Sequence, residues 1–241
     1  MDVSDIDNWD LKLVNRILSK IKHNGFLSAI TKGERGYGKS IYNIKTMAYV
    51  YRHLGCNEEE AWDKALECII FTPDEFLKKI AHNLRYNIIS PVWCIDDATV
   101  HFSSYLYFIN LYETSLLNAT FDTIRTAVNA ILLNCPDKHR LLSGLRNYDD
   151  YEVSIYMDIK GGYERKAVGI KWYSLPSGDR KFRKEFEDYF SCYLPNDIYS
   201  RYMEKRTRYL KEVSDELREL QEKLNVKKSK KMVEGDVDVG F

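Results

Sequence analysis

The stretch GERGYGKS, residues 33–40, decides the fold that this sequence predicts. It follows the apolar run FLSAITK and precedes SIYNIKTMAYVYRHLG, whose apolar spacing is typical of a helix. Gly33, Gly38, Lys39 and Ser40 match the pattern G-x-x-x-x-G-K-[ST] in full. A predicted strand, a glycine-rich loop and a predicted helix in this order indicate a loop that binds phosphate groups.

Each residue type in this loop has a chemical reason. Glycines let successive backbone N–H groups turn toward one anion, and the following helix adds the positive end of its dipole. Lys39 is predicted to reach the β- and γ-phosphates of a nucleotide, and the Ser40 hydroxyl to ligate Mg²⁺. The predicted nucleotide-binding residues are Gly33, Gly36, Tyr37, Gly38, Lys39, Ser40 and Ile41.

Composition excludes several other classes of protein. The chain has 241 residues with 36 basic and 36 acidic side chains, so any contact with DNA requires a local basic patch. The length predicts one sizeable domain plus an appendage, and the hydrophobic fraction of 44% predicts that the chain folds. The five cysteines lack a Cys-x-x-Cys pair, and the five histidines lack the spacing of metal ligands, which argues against a zinc site. The N-terminus lacks an uninterrupted apolar core, so we expect a cytoplasmic protein without a membrane span.

Strands that alternate with helices predict an α/β fold with a mostly parallel central sheet flanked by helices. Helices are predicted over residues 4–22 after Ser4, from the loop to Gly55, and in NEEEAWDKALECII and TPDEFLKKIAHNLRYN after Asn57 and Thr72. Residues 102–128 are helix-like, with an interruption near LNAT. PVWCIDDA and AILLNCP predict further strands.

The pattern changes after Asp149. YEVSIYMDI and KAVGIKWYS alternate in polarity around KGGYER, which predicts an added β-hairpin. From Asp179 we predict a charged helix, with a short coiled-coil spacing from Leu210 to Leu224. The predicted organisation is an N-terminal helix over 1–24, a P-loop NTPase domain over 25–178 that includes a 151–174 hairpin, a helical extension over 179–228 and a flexible tail over 229–241.

Two acids, Asp96 and Asp97, end the strand VWCIDDA. A P-loop enzyme needs an acid at the end of a neighbouring strand to hold the water shell of Mg²⁺, and Asp96 is predicted to do so. Asp97 stands where P-loop ATPases usually carry the glutamate that activates water. Aspartate is shorter by a methylene, so slow hydrolysis, a water relay or a partner is expected. The alternative is that both acids cap the strand in solvent.

Asn134 ends a further strand, where it is predicted to sense the γ-phosphate or the attacking water. Two alternatives are a turn before Pro136, and Asn129 in the same role if the strand begins earlier. Arg140 and Arg146 follow on a predicted helix, and either is a candidate to reach the nucleotide of a neighbouring subunit or to be a surface arginine. The predicted catalytic residues are Lys39, Asp97 and Asn134.

Basic and aromatic residues interleave in YSRYMEKRTRYLKE and in KWYSLPSGDRKFRKEF. Such segments can bind nucleic acid through charge and stacking, and the alternative is that they form amphipathic helix faces. VKKSKK is a further short basic run.

Gly33–Ser40, Asp96–Asp97 and Asn134, on successive strands, resemble the P-loop ATPases of the additional-strand division, which includes the AAA+ and FtsK/HerA motors. More narrowly, DDA and a tyrosine-rich helical C-terminus resemble small ATPases encoded by viruses and plasmids of hyperthermophilic archaea. The resemblance covers about residues 26–140. It implies ATP and Mg²⁺ as cofactors, hydrolysis, an oligomer or partner protein, and work on DNA such as replication initiation, loading or packaging.

Two other functions are set against this one. A slowly hydrolysing switch or assembly protein would use the C-terminal helix for partner contacts. A nucleoside or nucleotide kinase is disfavoured because nothing after residue 136 resembles an arginine-bearing lid.

Overall fold

A computed structural model describes residues 10–100, 102, 111–142, 145, 150–157 and 164–235 of the protein. The chain divides into two compact units, Met1–Ile198 and Tyr199–Phe241. The elements, in chain order, are α1 (Lys12–Lys22), β1 (Leu27–Lys32), α2 (Lys39–His53), α3 (Glu58–Glu67), β2 (Ile69–Ile70), α4 (Pro73–Tyr86), β3 (Trp93–Ile95), α5 (Leu111–Thr123), β4 (Ala130–Asn134), β5 (Tyr151–Met157), β6 (Glu164–Ser174), β7 (Arg180–Ser191) and α6 (Asn196–Gly235).

The first unit is built on a seven-stranded sheet in the order β2-β3-β4-β1-β5-β6-β7. The first five strands in this order, β2, β3, β4, β1 and β5, are parallel to one another. Strands β6 and β7 extend the sheet through antiparallel pairs. Strands β3 and β4 are buried throughout, as expected for strands covered on both faces. The predicted α/β fold, with a mostly parallel central sheet and an added antiparallel hairpin, is confirmed.

The pairing register aligns the strand ends that matter for function. Thr31 of β1 lies opposite Asn134 of β4, and Ile95 of β3 lies opposite Leu133. The carboxyl ends of β1, β3 and β4 therefore meet at one edge of the sheet. Strand β4 lies between the strand that enters the loop and the strand that ends in Asp96.

Several helix ends lie where local sequence signals predict them. Asn57 and Glu60 form a reciprocal capping box at the start of α3, with hydrogen bonds of 2.9 and 3.1 Å. Thr72 accepts a hydrogen bond from the Glu75 N–H before α4, which begins with Pro73 as predicted. Helix α2 ends at His53, just before Gly55 with its φ of 102°.

The predicted N-terminal helix is corrected at its start. Helix α1 begins at Lys12, and the predicted cap Ser4 lies outside the described residues. The side chain of Leu11 makes no capping hydrogen bond. Instead, the buried carboxylate of Asp188 accepts hydrogen bonds from the N–H groups of Lys12 and Leu13, at 2.7 and 3.3 Å. A residue far along the chain therefore caps this helix.

Two further helix predictions are corrected. Ile69–Ile70 form the short strand β2 instead of the end of α3, because these buried β-branched residues pair with β3. No interruption occurs near LNAT, since α5 runs from Leu111 to Thr123 and a 3-10 turn follows at Ile124–Thr126. Leu117 and Phe121, four residues apart on one helix face, are both buried.

The predicted helix after Asp179 is wrong over residues 180–191, which form β7, a 12-residue strand paired with β6. Phe182, Phe186 and Phe190 recur every fourth residue, a spacing that suits one helix face. Because four is also a multiple of two, the same spacing suits one face of a strand. Along the second half of β7, burial alternates, with Phe186, Asp188 and Phe190 buried and Tyr189 exposed.

The C-terminal helix α6 begins at Asn196 and continues to Gly235. Helix α6 includes residues 229–235 of the segment predicted as a flexible tail, and residues 236–241 lie outside the described part, so the flexibility of the tail stays a prediction. Leu210 and Leu217, two positions of the predicted coiled-coil spacing, are 50% and 62% exposed. The boundaries proposed for the domains stay predictions.

In the described part of the chain, we find no helix with both the length and the apolar character that crossing a membrane requires.

Candidate functional site

The glycine-rich loop joins β1 to α2 through backbone conformations that favour glycine. Gly33 and Gly38 have φ values of 146° and 90°. A Cβ atom on Gly33 would lie 2.8 Å from the Ile155 carbonyl oxygen, and one on Gly38 would lie 2.3 Å from the Cys192 Sγ. Ile155 of β5 therefore closes Gly33 to a side chain, and Cys192, which directly follows β7, closes Gly38.

Lys39 points back into the loop that precedes it. Its Nζ donates hydrogen bonds to the carbonyl oxygens of Gly33 and Glu34, both at 2.8 Å. The N-terminus of α2 begins at the same residue, with Gly38 as its N-cap. The loop thus brings an ammonium group and the positive end of a helix dipole to one place, which favours anions.

Three predicted site residues form a hydrogen-bonded triangle at the carboxyl edge of the sheet. The Ser40 Oγ donates to the Asp96 Oδ1 at 3.0 Å, and the Asn134 Nδ2 donates to the Ser40 Oγ at 2.8 Å. The Asn134 Nδ2 also donates to the same Asp96 oxygen. The first turn of α2 and the ends of β3 and β4 are joined in this way, with Asp96 only 1% exposed.

Asp97 follows directly, in a backbone conformation that is uncommon for residues other than glycine. Its φ is 47°, its side chain is partly exposed, and its N–H donates to the Asp96 Oδ1 at 3.2 Å. The next residue, Ala98, donates its N–H to the Asn134 carbonyl oxygen at 3.0 Å. This turn fixes Asp97 at the rim of the triangle; strained backbone of this kind is often found at functional sites.

The donor set of the triangle fits Mg²⁺. The Ser40 hydroxyl and the Asp96 carboxylate are hard oxygen ligands, which Mg²⁺ prefers. Within the described ranges, no group of three His, Cys, Asp or Glu side chains is arranged to hold a metal. A P-loop site does not need one, because nucleotide phosphates and water complete the coordination of Mg²⁺.

A buried polar chain supports the triangle from behind. Thr31 Oγ1 donates to Asn43 Oδ1 at 2.8 Å, and the Asn43 Nδ2 points to the Cys94 Sγ at 3.6 Å. These residues connect β1, α2 and β3 inside the core. Burial raises the pKa of the Cys94 thiol well above its usual value, so it stays protonated. Sequence analysis missed this chain, although a polar Asn43 in an apolar helix was a signal for it.

A second buried cluster lies around β5, on the other side of β1 from β4. The carboxylate of Glu152 on β5 is 1% exposed and accepts hydrogen bonds from Lys32 at 2.5 Å, from Lys138, and from the Trp172 Nε1 at 2.7 Å. Burial alone would raise the pKa of Glu152, but the hydrogen bonds from both lysines hold that pKa below its usual value. Lys32 precedes Gly33 directly, so Glu152 connects the start of the loop to β5.

The other predicted residues have different outcomes. Tyr37 and Ile41 lie partly exposed in the loop and the first turn of α2. The Asn129 alternative is wrong, because its Nδ2 donates to the Gly25 carbonyl oxygen at the opposite end of the sheet. Arg140 is exposed on a 3-10 turn, Lys138–Arg140, where a longer helix was predicted, and Arg146 lies outside the described residues.

Three known proteins that this chain resembles are distant from it in sequence. No family model matches it. The uncharacterized protein B-251 of Sulfolobus spindle-shape virus 1 is 25% identical over 229 residues, which cover 91% of this chain and 89% of that protein. The N-terminal domain of zonular occludens toxin from Neisseria meningitidis is 15% identical with a TM-score of 0.38, over 73% of this chain and 98% of that domain. A second solved structure, an ATPase domain, is 9% identical with a TM-score of 0.37, over 72% of this chain and 93% of that domain.

Proposed function

We propose that this protein is an Mg²⁺-dependent ATPase of the additional-strand division of P-loop proteins. One observation carries the proposal. Strand β4 lies between β1 and β3, and its last residue, Asn134, contacts both Ser40 and Asp96. In an ATPase of this division, the strand between the loop and the acidic strand brings a γ-phosphate sensor to the metal ligands.

The residues around the loop divide the work of phosphoryl transfer. The loop N–H groups and Lys39 bind the phosphates, as anions are bound at other glycine-rich loops that open helices. Ser40 and Asp96 would hold Mg²⁺, which would neutralise negative charge on the nucleotide phosphates. Asn134 donates a hydrogen bond to the γ-phosphate or to the attacking water.

Asp97 is proposed as the general base, since it lies at the rim of the triangle with its side chain partly exposed. Its carboxylate takes the proton from water as the water oxygen attacks the γ-phosphorus and the bond to the β-phosphate oxygen breaks. The side chain is one methylene shorter than glutamate. We therefore expect slow hydrolysis that a bound partner accelerates.

Single-stranded DNA is the partner that the β6–β7 hairpin fits best. Residues 171–184 carry five basic side chains and one acidic one. On one face of this hairpin, the rings of Trp172 and Phe182 lie 5.4 Å apart, and Phe182 is 63% exposed. Exposed aromatic rings among basic side chains suit bases that stack and a backbone that carries negative charge. We infer a role in handling the DNA of a mobile element.

ATP turnover tests this function. We would measure it for the wild type, Lys39→Ala and Asp97→Asn, each with and without single- and double-stranded DNA. The expected result is turnover by the wild type that single-stranded DNA stimulates and that both substitutions abolish. Phosphate transfer to a nucleoside acceptor would instead identify a kinase.

A second candidate is a nucleotide-dependent assembly protein. Leu210 and Leu217 of α6 lie seven residues apart and are half-exposed or more, as expected for a helix that binds another helix. Tight ATP binding without turnover on any DNA, together with an ATP-dependent increase in molecular mass, would favour this candidate. An oligomer would also give Arg140 or Arg146 a neighbouring nucleotide to reach.

A further inference from the structure

Arg165 lies beside the phosphate-binding loop, although it belongs to a strand that carries no part of the sequence motif. It stands on β6, opposite Met157 of β5 and Phe190 of β7. The ring of Phe190 lies 5.0 Å from the ring of Tyr42 on α2, so side chains on this face of the hairpin meet that helix. A Cβ atom on Gly38 would lie 3.9 Å from the Arg165 Cγ. The arginine side chain therefore runs past the last glycine of the loop.

The charge of Arg165 acts on two residues beside Gly38. A hydrogen bond with Glu34 raises the pKa of the Tyr37 hydroxyl, and the positive charge of Arg165 opposes that increase. Burial raises the pKa of the Cys192 thiol, and the same charge opposes this increase as well. The Cys192 Sγ approaches the Tyr37 carbonyl oxygen at 3.8 Å. The guanidinium is thus within electrostatic reach of the loop from the hairpin side.

The burial of Arg165 is unusual for its type. The residue is 8% exposed, and its Nη1 donates to the Glu164 carbonyl oxygen at 2.8 Å, which fixes the direction of the side chain. Burying a guanidinium has a large desolvation cost, and arginine cannot escape it by losing its proton. A guanidinium fixed this close to the loop is a charge-assisted hydrogen-bond donor of the kind that binds phosphate groups.

We propose that Arg165 is a second cation of the nucleotide site, which binds the phosphates from the hairpin side within the same chain. This inference rests on the proposed function. Asp96 directly follows β3, which is two strands away from β1 in the sheet. Arg165 is on β6, which is two strands away from β1 on the opposite side. The phosphates would be held between the metal ligands and this arginine. The same strand, β6, carries Trp172 of the hairpin proposed to bind DNA.

The test separates charge from packing. Arg165→Met keeps an unbranched apolar stem and removes the charge, and Arg165→Lys keeps a charge. Arg125→Met, on the exposed 3-10 turn after α5, is the matched control. For each variant, we would measure the Kd of ATP with Mg²⁺ by calorimetry and the Tm with and without the nucleotide. Arg165→Met should weaken ATP binding about tenfold to a hundredfold, in line with a lost charge-assisted hydrogen bond. Arg165→Lys should lose less, and the control nothing.

The Tm of the protein without nucleotide distinguishes a binding role from a packing role. If Arg165 binds the phosphates, the increase in Tm caused by ATP should shrink in Arg165→Met by more than any change in the Tm of the nucleotide-free protein. Wild-type affinity in Arg165→Met would overturn the inference. So would equal losses in the Met and Lys variants with a lower Tm of the nucleotide-free protein, since both would then reflect packing. If Lys39→Ala binds ATP as tightly as the wild type, the proposed function itself is wrong.

Discussion

The side-chain amide of Asn134 donates a hydrogen bond to the Ser40 hydroxyl at 2.8 Å, which joins the last residue of β4 to the first turn of α2. The two residues are far apart in the sequence, and both contact the same oxygen of Asp96. Strand β4 therefore contributes a residue to the site as well as pairing with β1 and β3. It brings an amide donor to the hydroxyl and the carboxylate that are proposed to hold Mg²⁺.

Gly38 and Gly36 offer a matched pair of substitutions in the loop. Both have positive φ values, 90° and 83°, but only Gly38 has a neighbour, the Cys192 Sγ, in the path of a Cβ atom. Gly36→Ala should cost about 1–2 kcal/mol of unfolding free energy from backbone strain. Gly38→Ala should cost about 1–3 kcal/mol more because of the clash. Urea denaturation of both variants measures the difference.

The double variant Gly38→Ala/Cys192→Ala provides the control for this prediction. Without the Sγ, the unfolding free energy should return to about that of Gly36→Ala, since only the strain remains. Equal stabilities of Gly38→Ala and Gly36→Ala would show that Cys192 does not close this position.

Glu152 should make stability depend on pH with a definite sign. Because the pKa of Glu152 is lower in the folded protein, its contribution is present above its unfolded pKa, near 4.5, and is lost as pH falls through the folded pKa. Glu152→Gln removes the buried carboxylate that pairs with both Lys32 and Lys138. We expect a loss of about 3 kcal/mol at pH 7, which shrinks as the pH falls below about 4.5. Unfolding at several pH values measures it.

Glu187 is the matched control for Glu152. It also pairs with two lysines, Lys166 and Lys184, but its side chain is 26% exposed where that of Glu152 is 1% exposed. Glu187→Gln should therefore change the stability little at pH 7. If the two variants lose the same stability, burial is not the source of the Glu152 contribution.

Two substitutions separate the contributions of stacking and of charge to DNA binding by the β6–β7 hairpin. Phe182→Ala should weaken binding of single-stranded DNA about tenfold, with little change in the dependence on salt. Lys184→Ala, on the same face of β7 as Phe182, should instead lower the slope of log affinity against log salt by about 0.7, as one phosphate contact is lost. Fluorescence titrations at several salt concentrations measure both. Tyr86→Ala, another exposed aromatic residue on α4, should bind DNA like the wild type; a loss equal to that of Phe182→Ala would exclude a specific surface.

Local signals account for the parts of the fold that were predictable. The order of β1, the loop and α2 is encoded within a short stretch, and the caps at Asn57 and Thr72 depend on residues three positions away. The triangle was predictable only as Ser40 at the start of α2 and two polar residues at strand ends, since the carboxyl ends of parallel strands meet at one edge. What joins them, β4 between β1 and β3, is a property of the whole sheet.

The features that sequence analysis did not predict depend on contacts between residues far apart in the chain. The fourfold spacing of Phe182, Phe186 and Phe190 suits a helix and a strand equally, and only pairing with β6 decides between them. Glu152 meets Lys32 across 120 positions, and Asp188 caps α1 across 176, so no local window shows either contact. Arg165 reaches the loop in the same way, through strands that the motif does not include.

The measurement that tests the central claim most directly is single-turnover cleavage of ATP with Mg²⁺ by Asn134→Ala. Asn129→Ala is its matched control, because Asn129 lies at the other end of the sheet, where it donates to the Gly25 carbonyl oxygen. We predict that Asn134→Ala still binds ATP but cleaves it about a hundredfold to a thousandfold more slowly than the wild type, as when a donor to transition-state charge is removed. Asn129→Ala should cleave at the wild-type rate. Cleavage by Asn134→Ala as fast as the wild type, or no cleavage by the wild type itself, would contradict the account.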